Sequence, residues 1–68
     1  MLRYFVNKNP QSTGEHEVHD SECGYLPSPE NRIYLGGYTT CEEAVREARK
    51  YYDNVDGCYH CCRGCYTR

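Results

Sequence analysis

Cys58-Tyr59-His60-Cys61-Cys62-Arg63-Gly64-Cys65 holds four of the chain's six cysteines in two abutting C-x-x-C units, Cys58/Cys61 and Cys62/Cys65. On a helical turn the four thiols would share one face; in a loop each unit would bring two sulfurs toward one point. Either way the stretch is a soft-ligand cluster, suited to zinc, to disulfides or to thiol chemistry. A tetrahedral zinc centre needs four nitrogen or sulfur ligands. Cys58, Cys61 and Cys65 with the distant Cys23 would supply them, with His19, His60 or Cys62 as substitutes. Familiar zinc ribbons separate their two cysteine pairs by a dozen or more residues, whereas these two pairs touch. Disulfide stapling is therefore the main alternative, and an iron–sulfur centre draws on the same thiolates.

The cluster matters because the rest of the chain offers a thin core. A domain of 68 residues buries only about 60% of the surface its unfolded chain exposes, and small scaffolds commonly add metals or disulfides to offset chain entropy. Eight tyrosines, one phenylalanine and no tryptophan carry much of the hydrophobic set, and each tyrosine hydroxyl needs a partner when buried. Net charge is −2 with scattered basic residues, which argues against nucleic acid as a partner. No segment has the ~20 apolar residues of a membrane span. The opening Met-Leu-Arg-Tyr-Phe-Val-Asn lacks the apolar run of a secretory signal, and a native start at Met1 points to the cytoplasm. There, clustered cysteines more often mean metal or redox chemistry than structural disulfides; trimming from a precursor would reverse that inference.

Leu2 to Asn7 alternates Leu2, Tyr4 and Val6 against Arg3, Phe5 and Asn7, the pattern of a half-buried strand. His16 to His19 reads as a second strand and Arg32 to Leu35 as a third, with Ile33 and Leu35 inward and Gly36-Gly37 ending it. Between the last two lies a loop with Cys23, Pro27 and Pro29, whose prolines disfavour helix. Thr40 with Glu43 forms a capping box. Behind it Cys41, Ala44, Val45, Ala48 and Tyr52 make one apolar stripe, which predicts a helix of about three turns. The expected fold class is α+β: a single domain over 1–68, with a three-stranded antiparallel sheet, one helix packed on it, and a cysteine-rich tail at 53–68.

Chain direction then sorts the cysteines. With the strands running up, down and up, the helix starts at the top, which places Cys41 there and Cys23 with the 58–65 cluster at the bottom. A helix of ~12 residues separates the two ends by about 18 Å. Cys41, beginning the apolar stripe, reads as a buried, inert thiol rather than a nucleophile. His16-Glu17-Val18-His19 has the spacing H-E-x-H and not the H-E-x-x-H of zinc proteases; on a strand its histidines face opposite ways, and a polar pair on an exposed face is the plainer reading. Tyr4, Tyr34, Tyr38 and Tyr52 would leave an aromatic patch on the uncovered sheet face, a surface for an unidentified protein partner.

The run His16-Glu17-Val18-His19, Cys23, Leu26-Pro27, Glu30-Asn31-Arg32, Tyr34-Leu35-Gly36, Cys41 with Glu43-Ala44-Val45, Ala48, Gly57-Cys58 and Cys61 resembles a group of small bacterial cysteine-rich proteins over nearly the whole chain. That resemblance implies a shape and no activity. Gly37-Tyr38-Thr39-Thr40 opening a helix is also similar to YegP-type domains, sheet-plus-helix units without a cysteine tail. Two function classes follow. One is a noncatalytic interaction module stabilised by structural zinc, with disulfide stapling as its variant. The other is a thiol redox protein using Cys58/Cys61, which lacks the thioredoxin-type βαβ setting.

Overall fold

The computed structural model describes residues 1–67. It has strands β1 (Leu2–Asn7), β2 (His16–Asp20) and β3 (Arg32–Tyr38), helix α1 (Cys41–Ala48) and strand β4 (Val55–Gly57), with short 3-10 turns at Pro29–Asn31 and Arg63–Cys65. Among the described residues the α+β fold is one helix on a four-stranded sheet of order β3-β1-β2-β4. The expected three-stranded sheet thus gains a strand. Residues 55–57, expected in a tail, pair in parallel with β2, so the tail is in part a sheet edge. Arg68, the last residue of that expected tail, lies outside the described residues.

Strand direction also differs from expectation. β1 is antiparallel to both β2 and β3, so β2 and β3 run the same way instead of forming a hairpin. α1 then runs back against them, and β4 returns in the direction of β2. This β3-α1-β4 crossover puts the start of α1 at the same end of the sheet as the finish of β2 and β4.

Tyr4 and Val6 face the core as the alternation in β1 implies, but Phe5 on the opposite face is buried too, beside Tyr34 and under the Arg32 guanidinium. Tyr4 and Val6 are buried with Val18, Leu35, Ala44, Val45 and Ala48 beneath α1. Tyr4 is therefore core, Tyr38 packs against that core, and Tyr52 stacks on His16 at 3.6 Å between ring centroids. Of the four tyrosines expected on an open face, Tyr34 is the exposed one, beside Phe5 at 5.4 Å between centroids.

Gly36-Gly37 does not end β3. The register against β1 slips between Tyr4 and Phe5, leaving Leu35 as the extra residue of a bulge. The slip inverts the alternation, so Tyr38 rather than Gly37 turns toward the core. Gly36 has φ +130°, and a Cβ there would meet the Tyr38 ring at 3.0–3.2 Å; glycine is the residue that suits both demands. The Tyr38 hydroxyl donates to the Leu35 carbonyl at 3.0 Å.

Helix α1 opens with the expected capping box, Glu43 N–H donating to Thr40 Oγ1 and Thr40 N–H to Glu43 Oε1. It ends at Ala48, about two turns long rather than three. Tyr52 lies past its end, where turns at 49–51 lead toward β4.

Candidate metal centre

Parallel pairing of β2 with β4 sets the C-terminal ends of two strands side by side. Each end carries two of the candidate ligands: His19 within β2 and Cys23 in the loop after it, Cys58 directly after β4 and Cys61 in the turn that follows. Ligand atoms of these four residues all lie within 4.8 Å of one another. Cys23 Sγ is 3.5 Å from His19 Nδ1 and 3.9 Å from Cys58 Sγ. A tetrahedral zinc ion, with Zn–S of about 2.3 Å and Zn–N of about 2.0–2.1 Å, spaces its ligand atoms about 3.5–3.8 Å apart. The donor set and its spacing therefore fit such an ion.

Backbone amides point at all three sulfurs. Tyr25 N–H donates to Cys23 Sγ, His60 N–H to Cys58 Sγ and Asp20 N–H to Cys61 Sγ, each with a donor–sulfur distance of 3.4 Å. A neutral thiol is a weak acceptor, whereas a thiolate gains much more from such donors.

Burial is deep where it matters. His19 and Cys58 are each 1% exposed. Burial pushes the His19 imidazole below its usual range, against a smaller opposing effect of Asp20, which favours the neutral ring that binds metals. Burial also raises the Cys23 thiol and pushes Cys58 up to about 12. Cys61 is raised by its hydrogen bond with the Cys62 thiol and then by burial. Without a cation these thiols stay protonated at neutral pH, the opposite of an activated redox cysteine.

His19 was expected on an exposed face and is instead fully enclosed. Its Nε2 has no hydrogen-bond partner among the described residues and lies 3.7 Å from Glu17 Oε1, beyond hydrogen-bond length. With Nδ1 turned to the sulfurs, Nε2 faces a carboxylate, the outer-shell arrangement common behind metal-bound histidines. Burial, with Glu15 and Asp56 nearby, raises the Glu17 carboxyl.

Of the proposed ligands, Cys23, Cys58 and Cys61 come together, and His19 stands where Cys65 was expected. Cys65 is bonded to Cys41 in a disulfide spanning 24 residues. Cys41 is accordingly no inert thiol apart from the cluster; it begins α1 at the same end of the sheet. Cys62 is buried in the core beneath α1, with its sulfur 3.9 Å from that of Cys61. His60 stacks on Tyr25 at 4.0 Å between centroids and is outside the ligand group. Glu42 approaches Cys41 Sγ at 3.7 Å, but with both sulfurs there joined to each other that corner offers no thiolate to an ion.

Gly57 makes the packing feasible. A Cβ on it would lie 2.6 Å from Cys65 Cβ and 2.8 Å from the Cys62 carbonyl oxygen, so a side chain would push the 62–65 turn off the end of β4.

No protein-family model, curated protein or solved structure matches the chain. No helix among the described residues is long and apolar enough to cross a membrane.

Proposed function

We propose that the protein is a small noncatalytic module whose fold is completed by one structural zinc ion, held by His19, Cys23, Cys58 and Cys61. The observation that carries this reading is the convergence of three backbone amides on three sulfurs that, with an imidazole nitrogen, lie within 4.8 Å of one another. Four protein ligands close the coordination sphere and leave no position for a substrate, the mark of a structural rather than a catalytic centre. The raised thiols weigh against the redox alternative. The Cys41–Cys65 disulfide supports a stapled scaffold in addition to the metal, and the two would pin the same end of the sheet. As an interaction module the protein would meet its partner through the open sheet face carrying Tyr34.

Native mass spectrometry of the protein as expressed tests the reading. The expected mass is that of the chain plus one zinc and less two protons for one disulfide. A metal-free chain with additional disulfides among Cys23, Cys58 and Cys61 would replace this reading with pure stapling.

A further inference from the structure

A cleft of about 450 Å³ opens beside the metal centre, on the sheet face away from α1. Its floor is Glu17, on β2, with Asn7 from β1. Its walls are aromatic. Tyr25 and His60 stack with an interplanar angle of 18°. Tyr59 stands edge-on to His60 at 83° and Tyr66 edge-on to Tyr59 at 73°. Four rings in series thus present faces in two nearly perpendicular directions around one carboxylate. Tyr25 and Tyr59 are 63% and 47% exposed, a large apolar outlay for a domain with so little core.

Charge narrows the guest. No Lys or Arg lines the cleft; the Arg63 guanidinium lies over the Tyr59 ring at 5.0 Å from its centroid, a cation already held by one of these rings. The Glu15 and Asp56 carboxylates act on Glu17 through space, with His60 opposing them. An anion would face the Glu17 carboxylate. A cation would meet the Glu17 carboxylate and the negative faces of the rings. Hydrogen-bonding capacity narrows it again. A primary ammonium brings three donors and a guanidinium five, and each left unpaired on entry costs free energy. The polar side chains of the cleft include Asn7, Gln11 and Glu17, but Asn7 Oδ1 already accepts from Asn9 N–H and Gln11 is hydrogen-bonded to Glu17, and ring faces accept such donors poorly. An alkylated ammonium brings charge with few or no N–H groups, so aromatic walls and one carboxylate suffice.

We propose that this cleft binds an alkylated ammonium group, with the cation against the Tyr25, Tyr59 and Tyr66 rings and the Glu17 carboxylate beneath it. The site goes beyond the structural zinc and needs no chemistry from it; the metal centre positions Tyr59 and His60, which follow Cys58, as cleft walls.

The test is a titration of the zinc-bearing protein followed by amide chemical shifts, with zinc per chain measured on the same sample. Choline and free trimethyl-lysine are the cationic probes, and 3,3-dimethylbutanol is the neutral isostere of choline. Expected is saturable binding of at least one cation, with shifts confined to residues around the cleft, and binding of the neutral isostere weaker by about tenfold or more. Tighter binding of choline would assign the source to a headgroup, and tighter binding of trimethyl-lysine to a modified side chain. Tyr25→Ala and Tyr66→Ala should each weaken the cation about tenfold while zinc per chain stays unchanged. Equal affinity for dimethylbutanol, or no cation binding to protein that carries its zinc, overturns the cleft proposal alone. Cation binding by protein that carries no zinc leaves the cleft standing and removes the zinc reading.

Discussion

Two regions of this small sheet are held by different physics. Beneath α1, Tyr4, Val6, Val18, Leu35, Ala44, Val45 and Ala48 form a conventional apolar core, where many weak contacts add up and volume-conserving changes are absorbed. At the C-terminal ends of β2 and β4 there is little apolar mass. Order there comes from a few directional contacts: sulfur with amide, sulfur with imidazole, and one disulfide. The first region degrades gradually. The second depends on each member of a small set, because a missing ligand leaves the others buried without their purpose. A chain of this size with few large aliphatic residues is thereby extended beyond what its core alone could order.

If the centre holds zinc as proposed, the sharpest way to break the comparison is to remove it. Structural zinc supplies on the order of 10 kcal/mol or more in zinc-finger peptides, so chelation should cost the domain most of its stability. Cys58→Ser and Cys23→Ser should each lose zinc by native mass spectrometry and lower the thermal midpoint steeply. Cys62→Ser, outside the ligand group, should keep its zinc. Retention of one zinc and an unchanged midpoint in Cys58→Ser would show that the centre is not built as described.

Next comes an attack on the other region. Ala48 is fully buried in the stripe of α1. Ala48→Asp places a carboxylate there without a partner and should cost about 3–5 kcal/mol, enough to unfold so small a domain by circular dichroism. Leu35→Met should cost less than about 1.5 kcal/mol. Amide shifts like those of the wild type in Ala48→Asp would mean the helix does not pack through that face.

Opening the Cys41–Cys65 bridge should have an intermediate effect. A closed loop of 24 residues corresponds to about 3 kcal/mol of chain entropy. Cys41→Ser should lower the unfolding free energy from denaturant titration by that amount while zinc per chain holds at one, since neither sulfur belongs to the ligand group. Loss of zinc in this variant would show that the two cross-links form one unit. The smallest effect belongs to Thr40→Ala, which deletes the cap of α1 and should cost about 1 kcal/mol in equilibrium unfolding, leaving zinc affinity untouched.

What could be read from the residues was the local part. The alternation of Leu2, Tyr4 and Val6, the Thr40/Glu43 box and the Ala44–Ala48 stripe are near-neighbour patterns, and each element formed where its pattern lay. β4 was hidden because Asn54-Val55-Asp56-Gly57 has the composition of a turn. It becomes a strand because β2 has an edge to offer, a tertiary preference overriding a local one. The direction of β3 was misread by assuming a meander. One signal against that was present: the connection from Ser21 to Asn31 is far longer than the two to five residues of a tight hairpin. With β3 reversed, α1 starts at the opposite end, and Cys41 meets Cys65 instead of standing apart. His19 enters the sequence reading only as a substitute ligand, because H-E-x-H on a strand reads as a polar pair on an exposed face. Its enclosure follows from a loop that returns over the sheet only in three dimensions.

The parallel register of β2 with β4 also has a consequence in time. Cys23 and Cys58, whose sulfurs nearly touch, are 35 residues apart in sequence. On the zinc reading proposed above, His19 and Cys23 leave the ribosome as half of a binding site, seconds before the other half at rates of about 5–20 residues per second. Two ligands hold an ion weakly, and closing the large intervening loop carries an entropic cost that local contacts do not share. The emerging chain would then exchange metal freely until β4 is made, and capture it in one late event. Translation arrest before residue 58 should yield nascent chains whose zinc is lost to a mild chelator, and arrest with the whole chain outside the ribosome should yield chains that retain it.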